Sequence, residues 1–154
     1  MVAEAPCEVW FYHLERTSLE QVLPELLERT LGRGWRASVR SDDPDRIQAM
    51  DAWLWTYRDE SFLPHGRADE PLADRQPILI GSGAENLNKA QALFVLDGDP
   101  GDLSDYARCI VIFDGRDDSA LRAARGHWKR YKAAGHGVTY WKQGENRGWE
   151  KQGA

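Results

Sequence analysis

Residues 121–132 hold Arg122, Arg125, Lys129, Arg130 and Lys132 without a single acid among them. On a helix turning about 100° per residue, Arg122, Lys129, Arg125 and Lys132 share a stripe about 80° wide, with Trp128 on its border. Cations that converge beside an aromatic wall suit a ligand that carries carboxylates and ends in an apolar tip. A solvated basic face is the competing reading, although such a face normally intersperses Glu at four-residue spacing. Ala120, Ala123, Ala124, His127, Tyr131 and Ala134 fall on the other side of the helix and read as a small-residue face that packs on a sheet. A second feature is Phe62-Leu63-Pro64, an apolar cluster between Arg58-Asp59-Glu60-Ser61 and the charged stretch after Gly66. Such a cluster either folds back as a satellite core or forms an interaction patch. Trp53 and Trp55 just upstream point to opposite sides if they lie on a strand, so that one of them can join the patch as an aromatic anchor.

Catalytic chemistry has less support. Asp97 and Asp114 each follow an apolar run, and the carboxyl ends of strands in open α/β sheets are where metal- or phosphate-handling carboxylates stand. A metal-dependent phosphotransfer or nucleotide-binding enzyme is the reading they would carry. Asp97-Gly98 and Asp114-Gly115 read equally as turns, in which Asp accepts backbone hydrogen bonds and Gly tolerates positive φ. Gly81-Ser82-Gly83 continues into Ala84-Glu85-Asn86 and lacks the lysine of a phosphate loop. His13, His65, His127 and His136 form no metal or triad pattern. Cys7 and Cys109 have no second ligand at zinc spacing and read as reduced thiols. No metal and no cofactor is expected.

These residues need elements to hold them. Val9 to Tyr12 reads as a strand, and Leu19 to Leu31 as a helix capped by Thr17 or Ser18 and stopped at Gly32 and Gly34. Pro24 conflicts with that helix and predicts a kink or a later start. Trp35 to Arg40 alternates as a strand, and Asp43-Pro44 opens a helix expected to end near Ala52. Trp53 to Thr56 reads as a third strand. Three apolar runs follow, 77–80, 92–96 and 109–113, then a long helix over 117–134 and a last strand near 138–141. Nearly continuous apolar strands alternating with helices imply a largely parallel sheet flanked by helices.

At 154 residues, 1–154 reads as a single α/β domain, with a mobile polar connection near 67–75 and a polar tail from about 144. The net charge of -5 argues against a whole-surface nucleic-acid binder. No run is long enough to span a membrane and the first residues do not form a secretory signal, so a cytoplasmic location is expected.

Leu54-Trp55-Thr56-Tyr57, Glu60-Ser61-Phe62-Leu63-Pro64-His65, Gln76-Pro77-Ile78, Phe113-Asp114-Gly115, Ala124-Arg125, Trp128 through Gly135, and Tyr140-Trp141 together resemble the chi subunit of bacterial DNA polymerase III. The resemblance runs from Phe11 to about Lys151. It implies a Rossmann-like α/β protein without nucleotide chemistry, a non-catalytic adaptor of the polymerase III holoenzyme. It further implies that the psi subunit of the clamp loader binds at Trp55, Phe62, Leu63 and Pro64. In the same way it places the acidic C-terminal tail of single-stranded DNA-binding protein on Arg125, Trp128 and Lys129, flanked by Arg122 and Lys132. Single-stranded DNA would be met only indirectly, and in some relatives a repair helicase shares the apolar surface. The best-known members carry Tyr where Trp128 stands, and some carry Lys where Leu121 stands.

Overall fold

The computed structural model describes residues 6–56, 64–83, 85–143 and 149–152. In chain order the elements are β1 (Glu8–Leu14), α1 (Leu19–Gly32), β2 (Ala37–Arg40), α2 (Pro44–Thr56), β3 (His65–Arg67), β4 (Ile78–Gly81), β5 (Ala92–Val95), β6 (Arg108–Asp114), α3 (Asp118–Ala133), β7 (Val138–Gln143) and β8 (Trp149–Gln152). A 3-10 turn at Ala73–Arg75 lies between β3 and β4. The strands form one open sheet in the order β3-β4-β2-β5-β6-β1-β7-β8. Every pairing is parallel except β7 with β8.

The central strands are apolar on both faces because helices cover both. Tyr12 and Leu14 of β1 point into one core with Leu23 and Leu27 of α1 and Met50 and Leu54 of α2. Val9 and Phe11, offset by one residue, point into the other with Ala124 and Tyr131 of α3. Fully burying one such large apolar side chain contributes about 1.5–3 kcal/mol. Among the described residues no helix is long and apolar enough to cross a membrane.

Three local expectations change. Helix α1 starts at Leu19, where its capping residues place it: Gln21 Oε1 accepts from the Ser18 N–H at 3.0 Å. Pro24 therefore sits inside the helix and has no N–H to give the Glu20 carbonyl. That carbonyl accepts instead from the Trp53 indole of α2 at 2.7 Å. Trp53 to Thr56 is not a strand but the last turn of α2. Nothing breaks the helix at Ala52, and Ile47, Met50 and Leu54 continue one apolar face at helical spacing. Two short edge strands, β3 and β8, stand where the sequence reads as loop and tail. Each holds its place by pairing with the strand next to it in the chain, β3 with β4 and β8 with β7.

The order of strands decides what lies beneath α3. This helix connects β6 to β7, and β1 runs between those two. It therefore crosses the α3-facing side chains of β1, while the β7-β8 edge extends the sheet beyond it.

Candidate functional site

Helix α3 is positioned at both ends. The Asp117 carboxylate caps it, accepting from Ser119 N at 3.0 Å and Ala120 N at 3.3 Å. Further along, Arg130 makes a two-pronged pair with Asp99 at 3.0 and 2.7 Å, and the Tyr131 hydroxyl donates to the Gly101 carbonyl at 2.9 Å. The Arg130 guanidinium holds the Asp99 carboxyl at about 2, well below the usual carboxylate range. Arg130 is thus tied to the loop after β5, away from the cationic stripe.

The buried face of α3 differs from the small-residue face read from the sequence. Ala123 and Ala134 are exposed, while Leu121 and Trp128 turn partly inward beside the buried Ala124 and Tyr131. The cause is aromatic: the Trp128 ring lies 5.6 Å from Phe11 and 5.8 Å from Tyr140, centroid to centroid. Large rings bury more area than alanines and draw the helix round toward them.

Beside Trp128 a shallow cleft of about 450 Å³ opens at the sheet edge. Helix α3 forms one wall with Leu121, Arg125, Trp128 and Lys129. The sheet forms the other with His13 of β1, Tyr140 and Lys142 of β7 and Gln152 of β8. The register explains the second wall. His13 lies opposite Lys142 across the β1-β7 pair, and Tyr140 opposite Gln152 across β7-β8. Neighbours directly across a sheet share a face, as do residues two apart on one strand. Arg125 and Lys129 are exposed and Trp128 is half-buried, so cations and an indole do converge on one cleft. Arg122 is exposed on the same helix but is not among the lining residues, and Lys132 places its ammonium 5.9 Å from the Trp128 ring centroid. The sequence reading missed His13, Tyr140, Lys142 and Gln152.

His13 is buried beneath the cleft, with Nδ1 2.5 Å from the Tyr140 hydroxyl and Nε2 3.2 Å from Glu15 Oε1. Burial lowers its pKa below the ordinary value, and the charges of Lys142 and Arg125 act in the same direction, against the Glu15 carboxylate. The imidazole is therefore neutral at pH 7. Gly115 makes room for it, since a Cβ at that position would run into the His13 ring. Gln143, at the end of β7, fastens the turn after β1. Its side-chain oxygen accepts from three successive backbone N–H groups, Glu15 at 3.3 Å, Arg16 at 3.0 Å and Thr17 at 3.3 Å. Its amide nitrogen donates to Thr17 Oγ1 at 2.7 Å.

The strand-end carboxylates are occupied by the fold. Asp97 accepts from Ser41 Oγ at 2.6 Å and Asp42 N at 2.7 Å and pairs with Arg46 at 2.8 Å. Asp114 accepts from the backbone and side chain of Arg116, both at 2.9 Å, which lowers its pKa. Gly98 has φ +80, the turn geometry for which glycine is suited, whereas Gly115 is required for space rather than for φ. Among the described residues no three His, Cys, Asp or Glu side chains gather as a metal site. Cys7 and Cys109 are buried, and burial pushes the Cys7 thiol up to about 12 and raises that of Cys109 as well.

On the opposite side of the sheet, Trp55 is 53% exposed near the end of α2. Two residues apart on a helix, Trp53 and Trp55 differ by about 200°, so Trp53 turns to α1 and Trp55 outward. The Trp55 ring lies 4.3 Å from that of His65, whose Nε2 is 3.0 Å from the Asp51 carbonyl. Pro64 is half-buried beside them in sequence, while Phe62 and Leu63 lie outside the described residues.

Residues 7–139 match the family model described as DNA polymerase III chi subunit, HolC. The chain belongs to the DNA polymerase III chi subunit family. It is 26% identical over 113 residues to a Rickettsia prowazekii protein named probable DNA polymerase III subunit chi, covering 67% of each chain. The DNA polymerase III subunits chi of Pseudomonas aeruginosa and Escherichia coli are 27% and 26% identical over 118 and 124 residues. Those matches cover 75% and 80% of this chain and 80% and 84% of the relatives. Membership of the chi family carries an accessory, non-catalytic role in DNA replication. The Asp97 carboxylate is engaged by the β2-α2 connection and Arg46, and that of Asp114 by its own turn. In this chi-family chain the two surfaces raised by the sequence, the Trp55 end of α2 and the α3 cleft, belong to opposite faces of one sheet.

Proposed function

We propose that this chain is an adaptor of the replicative polymerase III holoenzyme, joining the clamp loader, through its psi subunit, to the acidic C-terminal tail of single-stranded DNA-binding protein. The observation that carries the reading is the α3 cleft. Arg125 and Lys129 stand one helical turn apart on its wall, where they can meet a terminal carboxylate and the acids before it, and Trp128 offers an apolar surface to the last side chain. Psi is assigned to Trp55, Phe62, Leu63 and Pro64; Trp55 stands on the side of the sheet opposite the cleft, so that both partners can be held at once. Single-stranded DNA is reached only through its binding protein.

Hydrogen bonds to charged groups contribute about 1.5–3 kcal/mol, so loss of one weakens binding about ten-fold or more. Arg125→Ala should therefore abolish calorimetric titration by the tail peptide at moderate salt while psi still coelutes. Wild-type affinity should fall with added salt, because the cations are exposed and screened over about 8 Å at physiological ionic strength. The tail peptide lacking its last residue should bind more weakly, and a bare oligonucleotide should not be retained. An unchanged Arg125→Ala isotherm, or capture of bare oligonucleotide in place of peptide, would overturn the assignment.

A further inference from the structure

Lys142 comes from β7, not from the basic helix, yet it lines the same cleft as Arg125 and Lys129 from the opposite wall. Its ammonium is 3.4 Å from Glu15 Oε1, the same oxygen that faces His13 Nε2 at 3.2 Å. Glu15 is the first residue after β1, and its backbone is fixed against β7 by Gln143. A carboxylate is thus held at the rim of a cleft otherwise lined by three cations and no acid. Glu150 lies opposite Lys142 across the β7-β8 pair and is exposed.

We propose that Lys142 is a third binding cation of the cleft and that Glu15 is its resident counter-ion, occupying in the free protein a position that a carboxylate of the bound acidic peptide takes over. The inference rests on the tail-binding reading and deepens it. With His13 neutral, the cation that Glu15 answers is Lys142. An incoming peptide carboxylate and Glu15 then compete for one ammonium, so the internal acid holds affinity below what three unopposed cations would give. A ligand with several carboxylates can replace the contact, whereas an apolar peptide end with a single charge gains nothing there. The arrangement therefore selects for acids upstream of the peptide's terminus.

The test is a double-mutant cycle read by fluorescence anisotropy with the labelled acidic tail peptide. Glu15→Gln keeps the shape and an acceptor oxygen for His13 but removes the charge, and should tighten binding about two- to five-fold, the scale of an exposed ion pair. Lys142→Met should weaken binding, and in its background Glu15→Gln should give no gain. Glu25→Gln, which removes an exposed carboxylate of α1, controls for net charge and should change nothing. The inference is overturned if Glu15→Gln leaves affinity the same or lowers it, or if its gain persists undiminished with Lys142→Met. Arg125→Ala separates the two levels. If Arg125→Ala loses the peptide while the cycle shows no coupling, this inference alone fails. If the wild-type chain ignores the peptide, or Arg125→Ala binds it unchanged, the tail-binding reading fails and takes this one with it.

Discussion

Trp53→Phe is expected to loosen the contact between α1 and α2 by an amount that depends on Pro24. The Trp53 indole donates 2.7 Å to the Glu20 carbonyl, which lacks its helical donor because residue 24 is proline. The bond lies near solvent, so water replaces the indole in part, and its loss costs about 1 kcal/mol, the net scale of a neutral hydrogen bond. Exchanging an indole for a smaller ring trims packing and brings the total to about 1–2 kcal/mol. In a Pro24→Ala background the backbone N–H of residue 24 reaches the same carbonyl, and Trp53→Phe should then cost about 1 kcal/mol less. Urea unfolding followed by circular dichroism measures this. With a slope of about 2 kcal/mol per molar, the coupling separates the midpoints by about 0.5 M. Tail affinity should be unchanged, because α3 packs on the other face. An equal cost for Trp53→Phe in both backgrounds would refute the argument that the indole stands in for the missing amide.

Two further perturbations probe the cleft and its supporting loop. Gly115→Ala drives a methyl into the His13 ring, and overpacking of that kind costs about 1–3 kcal/mol; the melting temperature and tail affinity should fall together, and a normal isotherm would show that His13 does not shape the cleft. Asp99 titrates near 2 because Arg130 holds it ionised, so its contribution is present above the ordinary carboxylate pKa of about 3.9 and is lost as pH falls toward 2. Arg130→Gln should raise Asp99 toward the ordinary range by carboxyl carbon NMR, short of it because the Gly101 N–H still donates to Asp99, and should reduce that acid-range loss in the melting profile, with only a small effect at neutral pH because the pair is largely exposed.

The parallel sheet was legible because its central strands are short apolar runs, with helical periods between β1 and β2 and between β6 and β7, and α3 because its stripe is local. The last turn of α2 was misread for a physical reason. Trp53-Leu54-Trp55-Thr56 has strand propensity by composition, but the buried Met50 and Leu54 belong to a helical face, and tertiary packing decided the matter. β3 and β8 have weak local signals and exist through pairing with the edges that β4 and β7 offer. The cleft divides in the same way. Arg125, Trp128 and Lys129 lie within one turn of helix and were found by period. His13 and Lys142 are brought side by side only by the β1-β7 register. The available signal was alternation: Phe11 with His13, and Tyr140 with Lys142, each two apart on strands adjoining the helix that covers them.

Gln143 gives the receptacle a property that its cations lack. A neutral amide gathers three successive amide hydrogens and fastens the turn after β1 to the strand that carries Lys142. Neither ionic strength nor acidity across the physiological range changes the charge of that clasp, so the sheet wall of the groove keeps its shape while the pull on an anionic guest fades or grows with the surrounding electrolyte. Capture strength is tunable by the medium; the mould is not.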